Sequence, residues 1–184
     1  MIQLSYQDIR HKIVDGDLFL FRGKGWFSKL IQSWTKSPYS HVEIAVWLEH
    51  RLCTIGAVLH RGVYPDLLSH KLKKYGGQVE WWAVSDSVMD PVGGNRHQLI
   101  IKARNWLLDS ENGWGSSYAS SRQFWRSFLF GWNWDQPDAY FCSEFAARYA
   151  TQVLGLQQFS NAIKISPGDF ARCDAWELKG IITA

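Results

Sequence analysis

The apolar residues of the chain fall into short runs and longer stripes, which predict strands and helices respectively. Apolar runs of about four to eight residues, bounded by turn residues, are typical of buried strands. Such runs occupy residues 16–21, 41–48, 51–59 and 79–84. A short polar turn separates the second run from the third, which predicts an antiparallel pair.

Helical spacing of apolar residues occurs at 26–36, at 97–110 and after Pro137. The last stretch has the most continuous stripe, formed by Phe145, Ala146, Tyr149, Ala150, Val153 and Leu154. Gly155 follows it and suits a helix C-terminus, where a left-handed residue is common. The order of these elements predicts an α+β fold, in which an antiparallel sheet or barrel packs against helices.

The composition favours one domain in an aqueous compartment. The chain has 184 residues, of which 46% are hydrophobic, so a single domain over 1–184 is expected. No segment resembles a signal peptide, and no run approaches the about 18 apolar residues that span a membrane. We therefore expect a cytoplasmic protein, unless release or phage delivery moves it elsewhere. The net charge of +3, without a basic tract, argues against a nucleic-acid partner.

Cys142 lies where an apolar run becomes the strongest predicted helix. Free N–H groups and the helix dipole at that end favour a thiolate, and the Cys142 N–H could stabilise an oxyanion. Cysteine is also among the most frequently buried residues, so a nucleophile and a core thiol both stay open. Cys53 and Cys173 are expected in the core. The three cysteines indicate neither a disulfide framework nor, without a CxxC pair, a zinc site.

Among the six histidines, His41 is the best candidate for a base that activates this thiol. It opens the most apolar predicted strand, directly after a loop, whereas the others lie among polar or charged residues. Residues i and i+2 of a strand share a face, so Glu43 is expected beside it. A carboxylate there would orient the imidazole and stabilise its charged form. A polar sheet edge or part of a metal site are the alternatives, although the missing further ligands disfavour a metal.

The order of three segments resembles a known superfamily. The segments are DGDLFLFRG (15–23), SPYSHVEIAVW (37–47) and YFCSEFAARYA (140–150), supported by the closing segment 165–182. Together they resemble the circularly permuted branch of the NlpC-type papain-like superfamily, the YiiX-type proteins, with lecithin:retinol acyltransferase-like enzymes as more distant relatives. In this branch the histidine strand precedes the cysteine helix. The resemblance does not include residues 113–136.

The resemblance implies a papain-like fold in permuted order, with Cys142 as nucleophile and His41 as general base. It implies an enzyme of bacterial or phage origin. This enzyme would be a cysteine hydrolase, either an amidase or peptidase or an acyl hydrolase, or else it would be an acyltransferase. It implies an acyl-enzyme, no cofactor, and amide, ester or thioester substrates of peptidoglycan or lipid type. The family often has a third residue, a glutamate, on the next strand, where this chain has Gly56. Either Glu43 takes that role or Cys142 and His41 act as a dyad.

Aromatic residues supply further candidates. Tyr39 and Tyr140 flank the two key residues, and either hydroxyl is a candidate for binding an oxyanion or substrate; aromatic packing is the alternative. The aromatic insertion at 113–136 is expected to shape the substrate cleft, or to contact a membrane surface. Its candidate cleft residues are Trp125, Trp132 and Trp134.

The alternative to a catalytic function is a non-catalytic lipid- or protein-binding module that retains the fold.

Overall fold

The computed structural model describes residues 2–58, 61–88, 96–109, 117–118 and 139–184, with the backbone alone at 117–118 and 139–140. The strands are β1 (Gln3–Ser5), β2 (Leu18–Arg22), β3 (His41–Leu48), β4 (Arg51–Val58), β5 (Gly62–Leu67), β6 (Gln78–Val84), β7 (Ser117–Tyr118), β8 (Ala139–Tyr140) and β9 (Trp176–Thr183). The helices are α1 (Tyr6–Ile9), α2 (Trp26–Thr35), α3 (Leu68–Lys74), α4 (Arg96–Leu108), α5 (Cys142–Gln152) and α6 (Pro167–Phe170).

Seven strands form one sheet in the order β1-β9-β6-β2-β3-β4-β5. Neighbouring strands run antiparallel except β1 and β9, which are parallel. Among the described strands the edges β1 and β5 do not pair with each other, so the sheet is open. The predicted α+β fold is confirmed, with an open sheet rather than a barrel. The parallel pair was not predicted, because three-residue β1 is too short for a clear apolar pattern.

The alternation of side chains along the strands divides the core into two layers. The first layer packs against α4 and α5, and the strands contribute Leu18, Leu20, Val42, Ile44 and Ile55 to it. The second layer packs against α1 and α3, and its strand residues include Phe19, Phe21, Ala45 and Trp81. Both faces of β2 and β3 are therefore covered, which explains their nearly continuous apolar runs.

The predicted antiparallel pair of β3 and β4 is confirmed. Its register runs from Leu48 opposite Arg51 to Ile44 opposite Ile55. The first residues of β3 lie beyond this register and pair with β2, where His41 stands opposite Phe21. In the described strands β3 and β4 therefore diverge at the N-terminal end of β3.

The stripe predicted for α5 is buried, as expected. All six of its apolar residues are at most 4% exposed, namely Phe145, Ala146, Tyr149, Ala150, Val153 and Leu154. Gly155 has a φ of +73° and donates its N–H to the Thr151 carbonyl at 3.2 Å. The Leu156 N–H donates to the Ala150 carbonyl at 3.1 Å, and the bond from Gly155 to a carbonyl four residues earlier is that of the αL capping motif. The prediction that Gly155 ends this helix is thus confirmed.

Most of the insertion predicted at 113–136, including Trp125, Trp132 and Trp134, lies outside the described residues. Within it, the backbone of β7 pairs in parallel with β8, the strand that leads into α5. No helix in the described part of the chain is long and apolar enough to cross a bilayer.

Asp17 connects the start of β2 to β6 from a fully buried position. Its carboxylate accepts hydrogen bonds from the Val84 N–H at 2.9 Å, Trp81 Nε1 at 2.9 Å and the Val14 N–H at 3.1 Å. Burial raises the pKa of Asp17 to about 6, although the three donors act in the opposite direction. One buried carboxylate thus accepts from three N–H groups and links the residue before β2 to β6.

Replacing this acceptor should destabilise the protein strongly. Asp17→Ala leaves two buried N–H groups and one partly buried N–H group without an acceptor. Each buried group costs about 1–3 kcal/mol, so the free energy of unfolding should fall by about 3 kcal/mol or more. Urea denaturation followed by circular dichroism measures this. Asp8→Ala, at an exposed position, is the control and should change stability by less than about 0.5 kcal/mol. A similar small loss in both variants would contradict this role of Asp17.

Candidate active site

Cys142 is the first residue of α5, and its side chain is 7% exposed. The preceding residue, Phe141, is extended, and its N–H donates to the Glu144 carboxylate at 3.5 Å. This bond helps to define where the helix begins. The thiol accepts hydrogen bonds from the backbone N–H groups of Val42 and Ser143. Two backbone dipoles therefore point at the sulfur and favour its negatively charged form.

The Val42 N–H reaches the thiol because β3 and β4 diverge at this point. Successive N–H groups of a strand point to opposite neighbours. The Ala45 N–H donates to the Asp17 carbonyl, on the β2 side of β3. The Val42 N–H therefore points to the β4 side, where pairing with β4 begins only at Ile44 in the described strands. The gap between the two strands receives the thiol.

His41 contacts both the thiol and a carboxylate. Its imidazole is hydrogen-bonded to the side chain of Cys142, and its Nε2 lies 2.9 Å from Glu43 Oε1. Its side chain is 24% exposed, and its ring packs against Phe21 with 5.3 Å between centroids. The structure thus brings together the three residues proposed as catalytic, with an imidazole that solvent or substrate can reach.

Glu43 is buried, with 1% exposure, and is held by more than the imidazole. Its Oε2 accepts hydrogen bonds from Thr54 Oγ1 on β4 and Lys71 Nζ on α3. Lys71 Nζ also donates to Thr54 Oγ1 at 3.0 Å. The carboxylate therefore lies between an ammonium group and an imidazole, and both of its oxygens have hydrogen-bond partners.

These contacts determine the charge states of the three groups. Burial alone would raise the pKa of Glu43, but Lys71 and His41 outweigh it and hold the pKa well below its usual range. Burial alone would lower the pKa of His41, but Cys142 and Glu43 raise it to about 10. Burial would raise the pKa of the Cys142 thiol, yet His41 and the two backbone N–H groups lower it. Each group thus favours the charged form of the other, an imidazolium beside a thiolate.

Gly56 provides the space that Glu43 occupies. If the β3–β4 register is extended by one pair, Gly56 stands opposite Glu43. A Cβ at Gly56 would lie 2.7 Å from Glu43 Cγ and 3.1 Å from the Val42 carbonyl oxygen. A side chain on β4 would therefore displace the carboxylate that β3 supplies. The family resemblance leads one to expect a glutamate at Gly56, so in this chain the carboxylate comes from the neighbouring strand.

Tyr39 is part of a different polar cluster. Its hydroxyl donates to Glu80 Oε2 at 2.7 Å and accepts from Arg22 Nη2 at 3.3 Å. Arg22 in turn forms an ion pair with Glu80 at 2.6 Å. Burial and the Glu80 carboxylate raise the pKa of Tyr39 to about 12. This hydroxyl could donate to an oxyanion only if it gave up its hydrogen bond to Glu80. For Tyr140 the structure describes the backbone in β8 alone.

Two residues of the site, Lys71 and Thr54, were not predicted from the sequence. Lys71 is one of three lysines in α3, and nothing in that pattern distinguishes it from the solvated Lys73 and Lys74. Thr54 could have been singled out from the sequence, since it is a polar residue inside the apolar run of β4. In the described ranges no group of three or more His, Cys, Asp or Glu side chains could hold a metal ion.

Comparisons with known proteins concern the fold more than the site. No family model and no curated protein matches the chain. Among solved structures, the crystal structure of the metalloprotein yiiX from Escherichia coli O157:H7 (DUF1105) is similar. The identity is 19% and the TM-score 0.45, over 78% of this chain and 67% of that one. None of these comparisons shows membership of the NlpC-type or lecithin:retinol acyltransferase-like families.

A side chain at position 56 should weaken the activation of the thiol. In Gly56→Ala the new Cβ displaces Glu43 from His41, so the pKa of Cys142 should rise. A rise of one unit moves the midpoint of the pH dependence of alkylation up by one pH unit, and the rate falls at every pH below the new midpoint. The measurement is iodoacetamide labelling of Cys142 read by mass spectrometry.

Gly76→Ala is the matched control, because a Cβ there meets no described atom within 4 Å. Equal labelling rates for Gly56→Ala and Gly76→Ala, in folded proteins, would show that Glu43 does not influence the thiol through His41.

Proposed function

We propose that the protein is a cysteine hydrolase of the circularly permuted papain-like type, acting on amide, ester or thioester bonds through an acyl-enzyme. The observation that carries this proposal is the hydrogen-bonded series from Cys142 through His41 to Glu43. A nucleophile, a base and an orienting group in contact are what nucleophilic catalysis requires. Electrostatics that favour the thiolate make a core role for this cysteine the weaker interpretation.

The reaction begins with attack of Cys142 Sγ on the carbonyl carbon of the substrate. The carbonyl electrons move to the oxygen, and the Cys142 N–H at the start of α5 is the proposed donor to the oxyanion. His41 then gives its proton to the leaving group, which departs as an amine, alcohol or thiol. The product of this half-reaction is an acyl group bound to sulfur as a thioester.

Water completes the cycle. His41, now neutral, takes a proton from a water molecule, whose oxygen attacks the thioester. The acid product leaves, and the imidazolium–thiolate pair is restored. If an alcohol, amine or thiol replaces the water, the same steps transfer the acyl group to that acceptor.

Glu43 acts as a positioning residue in this scheme. Because Nε2 of His41 is engaged by Glu43, Nδ1 is the nitrogen that exchanges the proton with sulfur. Lys71 and Thr54 keep the carboxylate ionised and oriented. We therefore assign the orienting role to Glu43 rather than proposing a dyad.

For the acyl substrate we propose peptidoglycan-type peptides and lipid-type acyl groups as the two classes to test first. The support for them is the resemblance of the three sequence motifs, since thiolate chemistry itself accepts amides, esters and thioesters alike. Segment 113–136, with Trp125, Trp132 and Trp134, is proposed to shape the cleft that receives the acyl group.

The pH dependence of alkylation tests the charge state of Cys142. In the wild type, the rate with iodoacetamide should titrate with a midpoint well below the about 8.5 of an ordinary thiol, because the thiolate is stabilised. In His41→Ala the positive charge is lost and the midpoint should rise. His70→Ala, at an exposed position, is the control and should behave like the wild type.

Slow alkylation at pH 6 in both wild type and His41→Ala, with the titration midpoint of an ordinary thiol, would show that Cys142 is a core residue and not an activated nucleophile. That result would favour the non-catalytic binding module instead.

Trapping the acyl-enzyme tests the chemistry directly. An activated p-nitrophenyl ester should release a burst of nitrophenol and leave an acyl mass on Cys142, as seen by peptide mass spectrometry. Cys142→Ala should reduce the burst by about a thousandfold or more, since triad residues act as a unit. Cys173→Ala removes another buried thiol and should leave the burst unchanged. Acylation that follows Cys173 or persists in Cys142→Ala would refute the assignment.

A further inference from the structure

The helix α3 contacts two different neighbours of the His41 imidazole. Lys71 Nζ donates to the Glu43 carboxylate, which in turn contacts His41 Nε2. The Tyr75 N–H donates to the Lys71 carbonyl at 2.8 Å at the C-terminal end of α3. Residues four apart lie on the same side of a helix, so Lys71 and Tyr75 both face the central strands of the sheet.

The Tyr75 ring is connected to the imidazole through Phe21. The ring centroids of Tyr75 and Phe21 are 5.2 Å apart, in an edge-to-face arrangement at 85°. The centroids of Phe21 and His41 are 5.3 Å apart, and these two residues stand opposite each other on β2 and β3. Aromatic pairs in such arrangements attract each other beyond the effect of burial alone. Tyr75, Phe21 and His41 therefore form a continuous series of ring contacts.

The turn between α3 and β6 fixes the position of the Tyr75 ring. A Cβ at Gly77 would lie 2.7 Å from Tyr75 Cε1 and would clash with the Arg22 carbonyl oxygen. The backbone at Gly77 therefore packs closely against both the Tyr75 ring and the end of β2. Phe21, on the other side of the Tyr75 ring contact, is only 2% exposed. In such close packing a displacement of one ring requires a displacement of its neighbours.

The forces that hold His41 change during the proposed reaction. In the free enzyme the charges of Cys142 and Glu43 both attract the imidazolium. Once the acyl group is bound to sulfur, the thiolate charge is gone, and His41 is neutral after it has protonated the leaving group. The attraction between charges is then lost, although Nε2 keeps its hydrogen bond to Glu43. The packing of Phe21 on the imidazole does not depend on charge, so it acts in both half-reactions.

We propose that Tyr75 is a positioning residue for deacylation, because its ring holds Phe21 against the His41 imidazole while His41 activates the water molecule. This inference rests on the proposed function, since it concerns the second half of that reaction. A general base must lie within hydrogen-bond reach of the water from which it takes the proton. Small displacements of a catalytic group cost large factors in rate. Loss of the Tyr75 ring should therefore slow the release of the acyl group more than its formation.

Burst kinetics with the p-nitrophenyl ester separate the two half-reactions. The burst measures acylation of Cys142, and the steady rate that follows measures deacylation. In Tyr75→Leu the steady rate should fall by about tenfold. The burst amplitude and the alkylation rate of Cys142 at pH 6 should stay within about twofold of the wild type, since the charged groups are unchanged. Tyr75→Phe retains the ring and should have the steady rate of the wild type.

Two further variants complete the experiment. Phe21→Leu interrupts the series of rings at its middle, so it should reproduce the selective loss of Tyr75→Leu and provides the test if that variant does not fold. Tyr6→Leu is the matched control, because Tyr6 is 8% exposed and belongs to the same core layer as Phe21, while its described cation–π contact is with Arg10. Its steady rate should equal that of the wild type, even if thermal denaturation shows a lower stability.

The possible results distinguish the two levels of the proposal. A wild type without a burst would refute the proposed function and the role of Tyr75 with it. A wild-type burst combined with an unchanged steady rate in Tyr75→Leu would refute the role of Tyr75 alone. The same holds if Tyr75→Phe or Tyr6→Leu loses as much of the steady rate as Tyr75→Leu, or if the burst and the alkylation rate fall equally with it.

Discussion

A buried carboxylate must be paired and hydrogen-bonded, and much of this molecule's candidate site follows from that requirement at Glu43. Its partners come from three elements: His41 on its own strand, Thr54 on β4 and Lys71 on α3. The space for it comes from Gly56. Lys71 keeps the carboxylate ionised. Cys142 and the ionised carboxylate together raise the pKa of the His41 imidazole, whose positive charge in turn favours the thiolate. The proposed activation of the thiol thus depends on a buried carboxylate that takes no part in the nucleophilic attack itself.

The site joins the two layers of the core. Cys142 belongs to the layer between the sheet and α5, whereas Lys71 lies on α3, which packs on the opposite layer. His41 and Glu43 face α3, and the thiol reaches them only where β3 and β4 diverge. The same divergence leaves the Val42 N–H available to the sulfur. A fully paired sheet would separate the two layers, so the opening between β3 and β4 is what allows the contact.

Two amphipathic helices show what the helical spacing of apolar residues predicts and what it leaves to the rest of the fold. The stripe of α5 and the stripe of α2 are both clear in the sequence, and both segments are helical in the structure. The α5 stripe is buried against the sheet, whereas no residue of α2 is buried, and its polar residues Ser28 and Gln32 contact Gly23. Periodicity places apolar residues on one side of a helix, but the partner of that side depends on the rest of the fold.

The sequence by itself determined the local features of the protein: the buried strands β2, β3, β4 and β6, the start and end of α5, and the shared face of His41 and Glu43. These follow from spacing between near neighbours, which backbone geometry alone relates to direction. Only the tertiary structure decided that Cys142 meets His41, that Lys71 rather than its neighbouring lysines binds Glu43, and that β1 pairs in parallel with β9. Each of these contacts joins residues far apart in the chain, and such contacts depend on the path of the whole backbone, which no local pattern encodes.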